Sequence, residues 1–266
     1  MKVKTLKFLV TVLICGLLSA VAVIGCAKTD SISEVDKSRI EKIVHDYLLS
    51  NPQILVEVSK KLQQQQHQEL KEMEKKAQQS IPKHAKQLFI NANSPSEGSS
   101  DAKITIVEFF DYQCQHCKDM IEVIETVKKN NQDVRIVYKE FPIFGNNSML
   151  ASRAALAAAK QGKYKTMHDA LMNVSNPITE KKVMEAAKSV GLNINQLQAD
   201  MDSEAVRSEL EQNLQLSQKL GLLGTPAFVV GLTLSDEKSK TPAFFVPGAV
   251  TEDMLQSYVD QVRQAS

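Results

Sequence analysis

Two cysteines separated by two residues form the most reactive pattern in the sequence, Cys114-Gln115-His116-Cys117. A thiolate is the nucleophilic form of cysteine, and a second nearby thiol can displace the mixed disulfide that the first one forms. A spacing of three residues at the start of a helix puts both sulfurs within disulfide reach. The motif therefore predicts thiol–disulfide exchange, in which Cys114 attacks and Cys117 resolves.

The elements around the motif indicate why Cys114 should be the more reactive thiol. The apolar run from Ile104 to Phe110 predicts a buried strand, and residues 115–130 predict a helix, so Cys114 lies at a strand-to-helix turn. Free backbone N–H groups and the positive end of the helix dipole favour a thiolate there. We expect His116 to stabilise that thiolate further, which makes the disulfide a stronger oxidant.

Two other uses of a Cys-x-x-Cys motif stay open. Half of a zinc site would need two more cysteine or histidine ligands, and His45, His67, His84 and His168 are single and scattered. A structural disulfide would close so short a loop that it gains little stabilisation. We expect no metal and no organic cofactor, because the redox-active pair itself would serve.

The first 27 residues predict an export signal. Three lysines precede an almost unbroken apolar run from Phe8 to Ile24, although a retained membrane anchor is the alternative. Val23-Ile24-Gly25-Cys26 resembles a lipoprotein cleavage motif, so that Cys26 is either a lipidated anchor or is discarded by cleavage after Ala27. In either case Cys114 and Cys117 are the thiols left in the folded body, in a compartment that oxidises thiol pairs.

The charge of the chain is nearly balanced. Cleavage before Cys26 removes three of the 32 basic residues and none of the 31 acidic ones, which leaves a net charge of −2. A chain of this kind has no basic patch to bind nucleic acid.

Residues 31–80 predict a helical arm with a thin apolar stripe. Ser50-Asn51-Pro52 breaks the arm into two helices, with Asn51 as the N-cap of the second, and Pro82 is predicted to end it. The stripe consists of Ile40, Ile43, Val44, Tyr47 and Leu48, then Ile54, Leu55, Val58 and Leu62. Because such a helix pair has no core of its own, we expect it to join subunits into a homodimer or a higher oligomer. Docking on the chain's own domain is the alternative.

Residues 86–266 have the pattern of an α/β domain. We predict strands at Gln87–Ile90, Ile104–Phe110, Val134–Phe141, Ala227–Gly231 and Ala243–Val246. A helical block at about 147–219 interrupts the domain, and a helix at 251–264 closes it. The predicted order is β-α-β, helical block, β-β-α.

At two distant places the sequence resembles the DsbA-like thiol:disulfide oxidoreductases. The stretch from Glu108 to Cys117 is similar to their active-site strand and helix, and Gly224-Thr225-Pro226 is similar to their cis-proline loop. The resemblance covers residues 86–264 and implies a thioredoxin fold with a helical insertion. It also implies that Pro226 is cis beside Cys114, and that the Thr225 backbone binds an extended client peptide. Glu108 would relay the proton of Cys117, its alternative being a structural ion pair with a lysine such as Lys139.

The resemblance further implies exported client proteins, a periplasmic location in a Gram-negative bacterium, and a membrane partner that resets the disulfide or the dithiol. An oxidase would need a DsbB-like, quinone-linked partner, and an isomerase a DsbD-like reductant. Gln115 stands where the monomeric oxidases have proline, and threonine before Pro226 is similar to the isomerases, so both directions stay open. A non-enzymatic envelope lipoprotein or chaperone that binds partners through the same scaffold is the alternative from another class.

Overall fold

The computed structural model describes residues 34–233 and 242–265. The chain divides into two compact units, Met1–Gln63 and Gln64–Ser266. The predicted export signal and Cys26 lie outside the described residues. Within the described ranges, no helix is both long enough and apolar enough to cross a membrane.

The described part of the first unit consists of helix α1 (Glu34–Ser50) and the beginning of helix α2 (Gln53–Ala85). The predicted break between the two helices is confirmed. The Asn51 side chain, which we predict to cap the start of the second helix, instead donates from Nδ2 to the Tyr47 carbonyl at 2.8 Å, at the end of α1. The predicted apolar stripe lies at the surface of this unit: Ile43 is 59% exposed and Leu55 is 58% exposed. The helix pair therefore does not bury its own apolar face.

The end of α2 packs into the second unit. Met73, Ala77 and Ile81 are buried there, so residues 64–80 of the predicted arm belong to the second unit. The prediction that Pro82 ends the helix is wrong. Helix α2 continues through Pro82 to Ala85 and then into a π-helical turn at Lys86–Ile90. The predicted strand at Gln87–Ile90 is therefore wrong; a short apolar run fits a buried helical turn equally well.

The sheet of the second unit has five strands in the order β1-β3-β2-β4-β5. They are β1 (Ser96–Glu97), β2 (Ile104–Phe110), β3 (Val134–Glu140), β4 (Ala227–Leu232) and β5 (Ala243–Pro247). β2 and β3 are parallel, and the other neighbouring pairs are antiparallel. Strand β1 was not predicted, because its two residues lie in a polar, turn-rich stretch of the sequence.

The helices of the second unit cover both faces of this sheet. They are α3 (Gln115–Asn130), α4 (Asn146–Ala159), α5 (Tyr164–Met172), α6 (Glu180–Ser189), α7 (Ile194–Met201), α8 (Glu204–Leu220) and α9 (Glu252–Gln264). Helices α4 to α8 form the insertion that we predicted at about 147–219. Along β2, Ile104, Ile106 and Phe110 pack on one core, and Val107 and Phe109 pack on the core of the opposite face. All seven residues of β2 are buried for this reason.

Two contacts fix the end of α2 against the sheet. Gln78 donates from Nε2 to the Ala243 carbonyl at 2.6 Å and accepts the Phe245 N–H at 2.9 Å, which pairs polar groups of the edge strand β5. Gly231 on β4 lets the Phe89 ring approach closely, since a Cβ at that position would lie 2.8 Å from the ring. The end of α2 and the π-helical turn after it are thus an integral layer of the second unit.

Candidate active site

Cys114 lies at the junction between the loop after β2 and helix α3. It is the N-cap residue of α3, with φ −77° and ψ 115°, and its N–H donates to the Asp111 carbonyl at 3.0 Å. The predicted helix at 115–130 is confirmed. The cysteine therefore faces the free N–H groups of the first helical turn, as the sequence predicted.

Asp111 organises this loop, and sequence reasoning did not single it out. Its carboxylate is buried and accepts three backbone N–H groups: Oδ1 takes that of Gln113 at 2.7 Å, and Oδ2 takes those of Ile143 and Phe144 at 2.8 and 3.0 Å. One side chain thus ties the cysteine loop to the loop that follows β3. The signal in the sequence was an aspartate placed directly after an apolar strand, where it can form a local turn.

The surroundings of Cys114 stabilise its thiolate. In the protonated form the Cys114 thiol donates to the Thr225 carbonyl at 3.3 Å, a bond that favours the thiol, but the other neighbours act in the opposite direction. The Cys117 thiol, the Thr225 side chain and the N–H groups of Cys117 and His116 lower the pKa of Cys114 from 9.0 to about 6, with the Cys117 thiol contributing most and burial opposing the change. A large fraction of Cys114 is therefore ionised at neutral pH.

Cys117 has the opposite character. It is fully buried on the sheet side of α3. Burial, and next the hydrogen bond to Cys114, raise the pKa of the Cys117 thiol far above its usual range. Cys117 thus keeps its proton and donates to Cys114, the asymmetry that we predicted from the motif.

The Thr225–Pro226 peptide bond is cis, which confirms the prediction for Pro226. It lies directly before β4, and the Thr225 carbonyl reaches the Cys114 sulfur across 111 residues of sequence. The other end of the loop is held by the Gly248 N–H, which donates to the Pro226 carbonyl at 3.0 Å. The structure therefore brings Thr225 and Cys114 together as predicted.

The side chains of the two residues between the cysteines point away from the thiolate. Gln115 donates to Asp119 Oδ1 at 2.9 Å, and His116 Nδ1 lies 3.9 Å from Asp119 Oδ2 with its side chain 75% exposed. His116 helps to stabilise the Cys114 thiolate through its backbone N–H. The direct imidazole contact that we expected is not formed, because the ring turns outward to Asp119 on the next helical turn.

Glu108 is buried on the same side of the sheet as the cysteines. Burial, then the charges of Glu140 and Cys114, raise the pKa of Glu108 to about 8. The alternative pairing with Lys139 is wrong. Lys139 follows Tyr138, the residue opposite Glu108, so it points to the other face of the sheet. There it contacts Ser94 and lies 4.0 Å from Glu209.

A small cavity joins Glu108 to charged groups near the surface. Its volume is about 10 Å³, which is room for about one water molecule, and Lys165, Glu125 and Asp169 line it together with Glu108. Lys165 is also the cation that opposes the rise in the pKa of Glu108. The cavity thus places Glu108 next to charged side chains that are themselves partly exposed.

A second buried carboxyl, Glu140, lies at the end of β3 behind the active-site loop. Its Oε1 atom accepts the hydroxyl groups of Tyr112 at 3.0 Å and Tyr164 at 2.8 Å. The Tyr112 oxygen also lies 3.2 Å from His168 Nδ1. Burial raises the pKa of Glu140 to about 8 and lowers that of His168 to about 3, so the imidazole is neutral. Sequence reasoning did not assign a role to Glu140 or to Tyr112.

Across the ranges 34–233 and 242–265, no three histidine, cysteine or acidic side chains are grouped so that they could hold a metal ion. Within these ranges both cysteines of the motif are free thiols.

Comparison with known families gives two matches along the chain. The model of the DSBA-like thioredoxin domain matches residues 105–260. The model of the copper resistance protein ScsC N-terminal domain matches residues 36–69. The two matches fall on the α/β domain and on the helical segment that precedes it.

Individual proteins match in the same region. The thiol:disulfide interchange protein DsbA of Bordetella parapertussis is 30% identical over 151 residues, which are 54% of this chain and 71% of that protein. The Na(+)/H(+) antiporter NhaA of Herminiimonas arsenicoxydans is 28% identical over 134 residues, but these are 21% of the antiporter. That match spans about a fifth of the antiporter, so no transport activity follows from it.

Solved structures extend the comparison. A thioredoxin-like oxidoreductase from Silicibacter pomeroyi is 41% identical, with a TM-score of 0.61 over 68% of this chain and 98% of that one. ScsC of Proteus mirabilis, in a transitional conformation, is 29% identical, with a TM-score of 0.61 over 89% of this chain and 99% of that one. The second structure covers a larger share of this chain than the first.

Proposed function

The chain belongs to the DsbA-like thiol:disulfide oxidoreductases, and we propose that it forms or isomerises disulfides in exported proteins through the Cys114–Cys117 pair. The family match confirms the predicted thioredoxin fold with a helical insertion. The observation that carries the proposal is the asymmetry of the two thiols: Cys114 is the one that ionises readily, and Cys117 is the buried one beside it.

In the oxidising direction, a client thiolate attacks the Cys114 sulfur of the protein disulfide. The Cys114–Cys117 bond breaks, Cys117 takes up a proton, and a mixed disulfide joins Cys114 to the client. A second client thiolate then attacks the client sulfur, and Cys114 leaves as a thiolate. Its low pKa makes Cys114 a good leaving group and favours this direction. The two electrons remain on the dithiol until a membrane partner removes them.

In the isomerising direction, the reduced Cys114 thiolate attacks a client disulfide instead. Either another thiolate of the client attacks the mixed disulfide, forms a new client disulfide and releases Cys114, or Cys117 attacks the Cys114 sulfur and releases the client as a thiolate. For that attack Cys117 must first lose its proton, and we assign its acceptance to Glu108, a buried carboxyl on the same side of the sheet whose charge acts on Cys117. The cavity beside Glu108 would then pass the proton on to solvent.

The cis-proline loop would bind the client chain. The Thr225 carbonyl accepts the thiol hydrogen of Cys114 only while Cys114 is protonated. The thiolate, the disulfide and the mixed disulfide all lack that hydrogen, so in these states the carbonyl is free to accept an N–H from an extended client peptide.

The remaining parts of the proposal concern location and assembly. We place the protein in the periplasm of a Gram-negative bacterium, either anchored through lipidated Cys26 or released by cleavage after Ala27. We also assign subunit association to the exposed apolar residues of the first unit, among them Ile43, Tyr47 and Leu55. The match of residues 36–69 to the ScsC N-terminal domain supports a distinct role for this segment.

The test is a redox titration of protein lacking residues 1–27 in glutathione buffers, read by thiol alkylation and mass. We expect a reversible transition above about −200 mV, whereas a bond reduced only below about −300 mV would mark a structural disulfide. The pair Cys114→Ser and Cys117→Ser gives a matched control. With a scrambled client, Cys117→Ser should accumulate a mixed disulfide and Cys114→Ser should form none. Client protection that survives Cys114→Ser, with no turnover in the parent protein, would favour the chaperone alternative.

A further inference from the structure

Glu140 is a buried carboxyl that receives two hydroxyl hydrogen bonds and takes no part in the exchange scheme above. Both Tyr112 and Tyr164 donate to its Oε1 atom, while Oε2 has no hydrogen-bond partner among the described residues. Tyr112 stands two residues before Cys114 on the active-site loop. The carboxyl is thus joined directly to the loop that holds the nucleophile.

Glu140 and Glu108 are both buried on the same face of the sheet. β2 and β3 run parallel in a register that places Glu108 opposite Tyr138 and Phe110 opposite Glu140. Residues two apart on a strand point to the same face, so both carboxyls lie on the side of the sheet that packs against α3 and α5. Two negative charges in such a site repel each other strongly, and therefore one carboxyl ionises well before the other.

The hydrogen bonds indicate which carboxyl ionises first. Hydroxyl groups that donate to a carboxylate stabilise its charged form, and Glu140 has two of them. Glu108 instead faces the small cavity and the cysteines. The imidazole of His168 is neutral and adds no positive charge that would cancel the charge of Glu140. The titratable groups around the two carboxyls, from all the surrounding elements, are Asp111, Tyr112, Cys114, Cys117, Glu125, Tyr138, Tyr164, Lys165, His168 and Asp169.

We propose that Glu140 is the first of these two buried carboxyls to ionise as the pH rises, and that its negative charge then keeps the proton on Glu108. Glu140 thereby sets the pH at which Glu108 becomes able to accept the proton of Cys117. It is a positioning residue, because it touches neither the client nor the reacting sulfurs. The proposal rests on the exchange function and adds a second carboxyl to the control of the resolving step.

The proton and bond changes of that step balance without another reactant. Glu108 first loses its proton to solvent and then takes the proton of Cys117. The Cys117 sulfur attacks Cys114, the bond between Cys114 and the client sulfur breaks, and the client leaves as a thiolate. Removing the charge of Glu140 should let Glu108 lose its proton at a lower pH.

The variant that tests this is Glu140→Gln. The amide oxygen can still accept both tyrosine hydroxyls, so the packing is retained while the charge is lost. Two measurements are made on the full mature chain: the titration of Glu108 by carbon NMR on glutamate labelled at the side-chain carboxyl, and the pH profile of resolution of a preformed mixed disulfide. We expect the pKa of Glu108 to fall by about one unit, the lower end of the shift that a neighbouring like charge produces. The midpoint of the pH profile should fall with it.

Two controls separate this effect from a loss of structure or of net charge. Tyr164→Phe keeps the carboxyl of Glu140 but removes one donor, so it should shift the Glu108 titration in the same direction and by less. Glu185→Gln removes a surface carboxylate on α6 and should leave both measurements unchanged.

Unchanged titration and pH profile in Glu140→Gln would overturn the proposal, and so would a rise in the pKa of Glu108. Failure of the exchange function gives a different result. In that case the parent protein would resolve no mixed disulfide at any pH, while the NMR titration of Glu108 would still report whether Glu140 acts on it.

Discussion

Ionisation of Cys114 should change the slope with which the reduction potential depends on pH. A group whose pKa is lowered in the folded dithiol stabilises that form above its ordinary pKa, and the stabilisation is lost as the pH falls through the lowered value. For Cys114 these two values are 9.0 and about 6. The stabilising effect should therefore be absent at pH 5, partial at pH 7 and complete above pH 9.

The size of the effect at pH 7 follows from these two values. A thiol with a pKa of about 6 is ionised about tenfold more than it is protonated at pH 7, which stabilises the dithiol form by at most about 1.4 kcal/mol. For a two-electron couple this raises the potential by about 30 mV. Below pH 6 reduction takes up two protons and the potential should fall by about 59 mV per pH unit; above pH 6 it takes up one, and the slope should be about 30 mV.

The assay is the glutathione titration repeated between pH 5 and 7.5, with Thr225→Val as the comparison. Valine keeps the shape of threonine and removes the hydroxyl, so the pKa of Cys114 should rise and the change of slope should move to higher pH. Alkylation of the reduced protein at each pH gives the thiolate fraction independently. A single slope of about 59 mV throughout, together with an alkylation midpoint above pH 8, would refute the account of how Cys114 is stabilised.

Two further predictions concern the scaffold. Asp111→Asn leaves three backbone N–H groups facing an amide with a single acceptor oxygen, and we expect the free energy of unfolding to fall by about 2–4 kcal/mol in urea denaturation. The control is Asp133→Asn, at the exposed pair with Arg263, which should lower the free energy of unfolding by under about 1 kcal/mol. Equal losses in the two variants would contradict the role of Asp111. A chain that begins at Gln64 should keep its thermal stability and lose subunit association in light scattering. A chain that begins at Ile81 should also unfold at a lower temperature, because it lacks Met73 and Ala77. An unchanged oligomer in the chain that begins at Gln64 would show that the first unit does not hold the subunits together.

The reactive centre could be predicted from the sequence because its signals are local. The spacing of Cys114 and Cys117 and the strand before them defined a strand-to-helix turn, and the structure has that turn. The cis bond at Pro226 was different, because an isolated Thr-Pro has no local signal for it, and the family resemblance alone implied it. Glu108 was placed correctly in a strand, but Lys139, the lysine named in the alternative interpretation, lies on the other face of the sheet, because the register of β2 and β3 could not be predicted from the sequence.

The segment between the arm and the domain was predicted poorly, for a reason that lies in its packing. A proline normally ends or kinks a helix because it has no N–H to donate. In this chain Ile81 is buried directly before it, and Leu88 and Phe89 are buried just after, so tertiary contacts hold the helical path through the proline. No pattern within the segment itself reports the presence of the sheet against which it packs.

The buried network behind the motif could not be found from sequence for a related reason. Tyr112, Glu140 and Tyr164 come from three different elements, and each, taken alone, resembles an ordinary core or loop residue. Only the register of β2 and β3 and the return of α5 bring them together. The helical insertion therefore does more than cover the sheet, because three residues of α5 act on this network. Tyr164 donates to Glu140, Lys165 opposes the rise in the pKa of Glu108, and His168 contacts Tyr112. If the pH profile of resolution depends on Glu140, then part of the proton control of the thioredoxin-fold site lies in the inserted helices.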